Sequence, residues 1–165
     1  CSTAAAAAPP SSFWNIRGSL GYLNANYDEF NDGRRAPAFS CNPTGNQVTC
    51  EPPFAPPITL TLASDWRIPV GDAGAITLGG DVRHVGKHFL SVDNRPGLVE
   101  PGYWLGNAFV RFDSSDRHWY VQGGVKNLTD TRYRTDGQEF SAVGNIQTVY
   151  FGDPRTFNVM VGFRF

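Results

Sequence analysis

From Trp14 onward the chain alternates apolar and polar positions with a period of two, the spacing at which a strand puts successive side chains on opposite faces. In WNIRGSLGY, Trp14, Ile16, Gly18, Leu20 and Tyr22 share one face, opposite Asn15, Arg17, Ser19 and Gly21. ITLTLASDWRI repeats the theme, with Ile58, Leu60, Leu62, Trp66 and Ile68 against Thr59, Thr61, Asp65 and Arg67. AITLGGDVRHV sets Ile76, Leu78 and Val82 against Thr77, Asp81 and Arg83. A fourth segment carries Trp104, Ala108, Val110 and Phe112 on one side and Asn107 and Arg111 on the other, where Phe109 interrupts the polar face. In HWYVQGGVKNL, Trp119, Val121 and Val125 oppose His118, Tyr120, Gln122 and Lys126. In TFNVMVGFRF, Phe157, Val159, Val161, Phe163 and Phe165 oppose Thr156, Asn158, Met160, Gly162 and Arg164. The pattern predicts an all-β fold, an antiparallel meander of about six long strands.

The connections alternate in length. PVGDAG and DSSDR are tight reversals, while polar loops rich in turn residues run over about 29–56, 88–101 and 134–150. Strands with one apolar face fit two media. A soluble sandwich buries that face, whereas a membrane barrel turns it to lipid and lines a wet interior with the polar one. Short turns against long loops, aromatics near strand ends (Trp14, Tyr22, Trp66, Trp104, Phe112, Trp119, Phe165) and mid-strand charges of both signs on the polar face favour the barrel. No stretch approaches the ~20 apolar residues of a membrane-spanning helix, a test that strands of ~9–11 residues escape.

Composition narrows the function. Charged residues are 18% and aromatics 13%, with 18 Gly and 12 Pro, a mix unlike a helical bundle. A net charge of -1 with no basic run leaves no footprint for nucleic acid. Residues 1–12 read as a low-complexity Ala/Pro/Ser linker or anchor, in which Cys1 is a candidate for lipidation or a plain junction. Cys41 and Cys50 lie in CNPTGNQVTC and are a candidate disulfide staple closing a small loop. His84, His88 and His118 are scattered, and no zinc spacing, G-x-S-x-G elbow or H-E-x-x-H occurs. No catalytic residue, metal or cofactor is expected.

The end of the chain carries a resemblance. Lys126, Asn127, Leu128, Asp130 and Tyr133, then Gly152, Pro154, Arg155, Thr156 and Phe157, and lastly Phe165, resemble the closing strands of TonB-dependent outer-membrane receptors. GSLGYLNANYDEF, DWRIPVGDAG and YWLGNAFVRF look like the strands before them, so the resemblance spans residues 13–165. It implies the Gram-negative outer membrane and a role in importing a scarce nutrient of the siderophore, cobalamin or saccharide class. In that family a barrel of about 22 strands surrounds a plug. This chain shows about six strands, no plug and no TonB box, which points to a fragment of a larger barrel or an orphan relative. The Asn127–Tyr133 and Gly152–Phe157 motifs read as turn-shaping, while Phe157, Val159, Val161, Phe163 and Phe165 resemble the signal by which barrels are selected for assembly.

The expected partners are membrane lipid, the remaining barrel and plug or a chain pairing the open edges, and TonB only through parts outside these residues. Arg34, Arg35, Phe39, Asp93, Arg95, Asp136 and Gln138 sit in the long loops and are the candidate ligand contacts. Two alternatives stay open: a non-transporting structural or interaction subunit derived from such a barrel, and a soluble secreted β-domain that binds.

Overall fold

A computed structural model describes residues 2–7, 13–27, 30–31, 40–41, 51–92, 94–140, 144 and 146–164, with backbone alone at 2–7, 30–31 and 40–41. Among the described residues thirteen strands are seen: β1 Ser2–Ala7, β2 Trp14–Tyr22, β3 Phe30–Asn31, β4 Ser40–Cys41, β5 Ile58–Pro69, β6 Gly74–Val85, β7 His88–Phe89, β8 Val99–Glu100, β9 Tyr103–Ser114, β10 Trp119–Lys126, β11 Arg134–Phe140, β12 Ile146–Phe151 and β13 Thr156–Phe163. Seven form one antiparallel sheet in the order β1-β2-β5-β6-β9-β10-β13, and the rest pair locally as β3-β4, β7-β8 and β11-β12.

The six strands expected from the two-residue period are present, and the ladder carries their faces across the sheet in register. Trp14 pairs with Trp66, Trp66 with Leu78, Leu78 with Val110, Val110 with Gly123 and Gly123 with Val159. A one-residue slip in any strand would break that row, because it would flip every side chain to the other face. The seventh strand is a departure from the sequence reading, which assigned no element to the Ala-rich start. Ser2–Ala7 pairs along β2 from Tyr22 to Arg17. Side-chain pattern is silent there, but pairing needs only main-chain N–H and C=O groups, and the open edge of β2 presents a row of them.

Both reversals are built from local chemistry. Between β5 and β6 a short 3-10 turn, Gly71–Ala73, leads to Gly74 at φ 139, a conformation open to glycine, and a Cβ there would collide with the Asp113 carbonyl. Between β9 and β10 the Ser114 hydroxyl donates to Asp116 and receives the Trp119 N–H, while the His118 N–H donates to Asp116 at 3.0 Å. These turns lie at one end of the sheet, and the described parts of the three long loops at the other.

No described residue covers the apolar face. Leu62, Leu78 and Val161 are 52%, 43% and 53% exposed. A soluble domain would have to bury this face, since contiguous apolar patches beyond a few hundred Å² are rare on monomers. Its edges carry rings: Trp14, Trp66, Trp119 and Phe163 near the short turns, Tyr22 and Trp104 near the long loops, all substantially exposed. The nine residues of β2 extend about 26 Å at ~3.3 Å per step, or about 20 Å once tilted, close to the ~25 Å apolar band of an outer-membrane barrel.

The fully buried side chains are elsewhere. Leu90 and Leu98, at 2% and 0% exposure, belong to the loop between β6 and β9. The largest buried side chains of the described residues therefore lie among the loops, while the sheet buries only Ala75 and Val85, near the two ends of β6, among its hydrophobic residues.

Candidate functional site

The face opposite the lipid-type face is polar and internally paired. Asp65 on β5 accepts hydrogen bonds from Asn15 and Arg17 on β2, each at 2.9 Å. Asp81 on β6 accepts from Asn107 on β9 at 2.8 Å, and Asn107 in turn receives the Asn127 N–H at 3.0 Å. Arg111 forks onto Asp113 and lies 3.7 Å from the Tyr120 ring centroid. Such pairs are inexpensive in a hydrated interior, where desolvation is small. Phe109, the residue that interrupted the polar pattern, lies over Gly79, its direct partner across the ladder, so its ring fills a place that a Cβ would occupy. Asp81, Asn107, Gln122, Lys126 and Asn158 border a cavity of about 170 Å³ on the same face.

At the long-loop end the connections pack into one unit. Within the 88–101 segment His88–Phe89 pairs with Val99–Glu100 as β7-β8, and in the last long loop Arg134–Phe140 pairs with Ile146–Phe151 as β11-β12, neither of which the sequence reading assigned as strands. Gly137 on β11 is buried against Leu90 and Leu98, and an added Cβ would press on both. The Arg134 guanidinium donates to the Val99 carbonyl at 2.6 Å and to the Gly97 carbonyl at 3.2 Å. Buried Glu100 accepts the Arg134 N–H at 2.7 Å. Asn94 and Glu51 exchange two hydrogen bonds, and the Phe54 N–H donates to the Phe89 carbonyl, which ties in the end of the first long loop.

The base of this unit is the Asn127–Tyr133 and Gly152–Phe157 motif pair. Asn127 is buried at φ 51. Its amide donates to the Thr131 and Asp153 carbonyls at 2.9 and 3.1 Å, and its Oδ1 accepts the Thr131 N–H at 2.8 Å. Asp130 receives the Arg155 N–H at 2.8 Å, and Gly152 sits against the Tyr133 ring. These residues are a joint that closes the last long loop, the turn-shaping role expected of them.

Three candidate ligand contacts fall within the described residues. Arg95 forms an ion pair with Glu139 at 3.3 Å, mostly buried, and helps dock the two loops. Asp136 and Gln138 are exposed on one face of β11. Around them the β11-β12 hairpin exposes Phe140, Ile146 and Tyr150, and the register pairs Asp136 with Tyr150 and Phe140 with Ile146. The sequence reading missed this apolar and aromatic strip, whose signal was the alternation of Ile146, Thr148 and Tyr150 inside a segment taken as loop. Arg34, Arg35, Phe39 and Asp93 lie outside the described residues, as do Cys1, Cys50, the Cys41 side chain and Phe165. Phe157, Val159, Val161 and Phe163 line the apolar face of β13. Among the described residues no group of three or more His, Cys, Asp or Glu side chains is placed to hold a metal.

Comparison with known proteins agrees with this geometry. Residues 3–128 match the family model of the TonB dependent receptor-like β-barrel. Among solved structures the chain is similar to BauA, the ferric preacinetobactin receptor of Acinetobacter baumannii, with 22% identity and a TM-score of 0.68 over 94% of this chain and 20% of that one. It is similar to FyuA, the ferric yersiniabactin uptake receptor of Yersinia pestis, with 21% identity and a TM-score of 0.68 over 92% of this chain and 21% of that one. The siderophore receptor PiuA of A. baumannii aligns at 21% identity and a TM-score of 0.66, over 94% of this chain and 20% of that one. The chain thus spans about a fifth of the length of the solved receptors it matches.

Proposed function

From a chain that belongs to the TonB-dependent receptor β-barrel family, whose members sit in the outer membrane of Gram-negative bacteria, we propose a segment of barrel wall serving uptake of a ferric siderophore. The carrying observation is the uncovered apolar face, continuous in register over six strands, rimmed by rings and backed by a paired polar face. That sidedness suits lipid outside and a hydrated lumen inside. The short turns are then periplasmic and the packed loops extracellular. The free edges of β1 and β13 pair with further strands of the receptor, which also supplies the plug and the contact with TonB.

The siderophore class is supported by the solved relatives, which are receptors for ferric preacinetobactin and ferric yersiniabactin and a further siderophore receptor. In this reading, Asp136, Gln138, Phe140 and Tyr150 present mixed polar and aromatic contacts to the ligand from a hairpin held rigid by Leu98 and Arg134. The Phe157–Phe163 face is the assembly signal read by the folding machinery of the outer membrane. The test is radiolabelled iron uptake by iron-starved cells lacking the gene, supplied with a panel of ferric siderophores. Loss of uptake for one siderophore, restored by the wild-type gene, is expected. Normal uptake of every siderophore, with loss of cobalamin or saccharide uptake instead, would overturn the assignment.

A further inference from the structure

At the short-turn end of the polar face, four arginines line one cavity of about 390 Å³. Arg67 comes from β5, Arg111 from β9, Arg117 from the following turn and Arg164 from just beyond β13, with Thr77 and Asp113 completing the wall. One carboxylate faces four cations, and it is already taken, because Asp113 accepts the forked pair from Arg111. The side chains of Arg67, Arg117 and Arg164 have no acceptor among the described residues. Like charges gathered around one cavity repel, and no described side-chain hydrogen bond compensates Arg67, Arg117 or Arg164. A guanidinium offers a planar fork of donors shaped for carboxylate or phosphate oxygens. By contrast Arg17, farther along the same face, has its carboxylate partner in Asp65.

We propose that this cavity is an oxyanion cradle, in which Arg67, Arg117 and Arg164 hold a carboxylate or a phosphate while Asp113 orients Arg111 at its side. The oxygens come either from acidic side chains elsewhere in the folded receptor or from a free ion. The inference rests on the polar face being interior and on no particular transported solute, so a failed uptake assay leaves it standing.

The test uses the whole receptor in detergent micelles, melted in phosphate-free buffer and in millimolar phosphate at matched ionic strength. The proteins are wild type, Arg67→Gln, Arg164→Gln, the double variant and Arg67→Lys, with Lys126→Gln as a cation control on the same face. Arg164 is exposed and follows the last strand, so its replacement leaves the ladder intact. If internal carboxylates fill the cradle, the Gln variants melt lower by a few degrees in both buffers and Arg67→Lys recovers most of the loss. If a free ion fills it, phosphate raises the wild-type melting temperature, and the double variant binds inorganic phosphate at least about tenfold more weakly by calorimetry. Either outcome supports the cradle. Melting temperatures that stay unchanged or rise on neutralisation in both buffers, the signature of relieved repulsion around an empty cluster, would overturn it.

Discussion

Asn127 offers the sharpest test of how the last long loop is anchored. Its side chain makes three hydrogen bonds from a buried position, two donated to the Thr131 and Asp153 carbonyls and one accepted from the Thr131 N–H. At about 1 kcal/mol net for each bond, truncation to Ala removes roughly 3 kcal/mol. The backbone adds to this, because φ is 51 and a left-handed alanine costs roughly 1–2 kcal/mol where asparagine is tolerated. Asn127→Ala is therefore expected to destabilise by roughly 4–5 kcal/mol. Asn127→Gly loses the same bonds but adopts the backbone freely, and should recover about 1 kcal/mol of that loss. The assay is urea unfolding of the receptor in micelles, followed by tryptophan fluorescence and by heat-modifiable gel migration. An Asn127→Ala variant within about 0.5 kcal/mol of wild type, the range of an uninvolved surface change, would refute the anchoring role. A glycine variant less stable than the alanine variant would refute the backbone argument.

Three further outcomes follow from the same geometry. Leu62→Arg, on the apolar face between Gly18 and Val82, should cost about 2–4 kcal/mol in a bilayer-like medium, while Ala63→Arg, facing inward opposite Asp81, should cost far less; equal losses in micelle unfolding would contradict the sidedness. Leu98→Ala empties a fully buried site and should cost about 2–5 kcal/mol, confined to the loops. Hydrogen exchange should then speed up over 88–100 and 134–151 and stay unchanged in β5 and β6, and a global change would count against a separate loop core. The Ser114 hydroxyl first, and then the His118 N–H, hold the Asp116 carboxyl below its usual range. A depressed carboxylate stabilises above its unfolded pKa of about 3.9 and loses that contribution as pH falls through its folded value. Asp116→Asn should therefore melt below wild type near neutrality, with the gap closing in acid; a gap that persists in acid would show the carboxylate is not its source.

The alternation of side chains fixed the six long strands and their two faces in advance, because that period is a property of each strand alone, and Trp14–Tyr22 or Ile58–Pro69 need no neighbour to declare it. Pro69, Gly71 and Gly74 likewise announced a reversal through their own dihedral preferences. Tertiary structure decided everything that depends on pairing at a distance. Ser2–Ala7 became a strand only because β2 had an open edge. The pattern break at Phe109 made sense only once Gly79 lay opposite it. Leu90 and Leu98 read as loop residues until Gly137 packed on them, and Arg95 as a free contact until it met Glu139. Arg67, Arg111, Arg117 and Arg164 are scattered along the chain from β5 to beyond β13, and only the pairing of β5, β6, β9, β10 and β13 in one sheet sets them around one cavity. Local periodicity encodes which way a side chain points, while which other side chains it meets is set by register, and register is settled by the sheet as a whole.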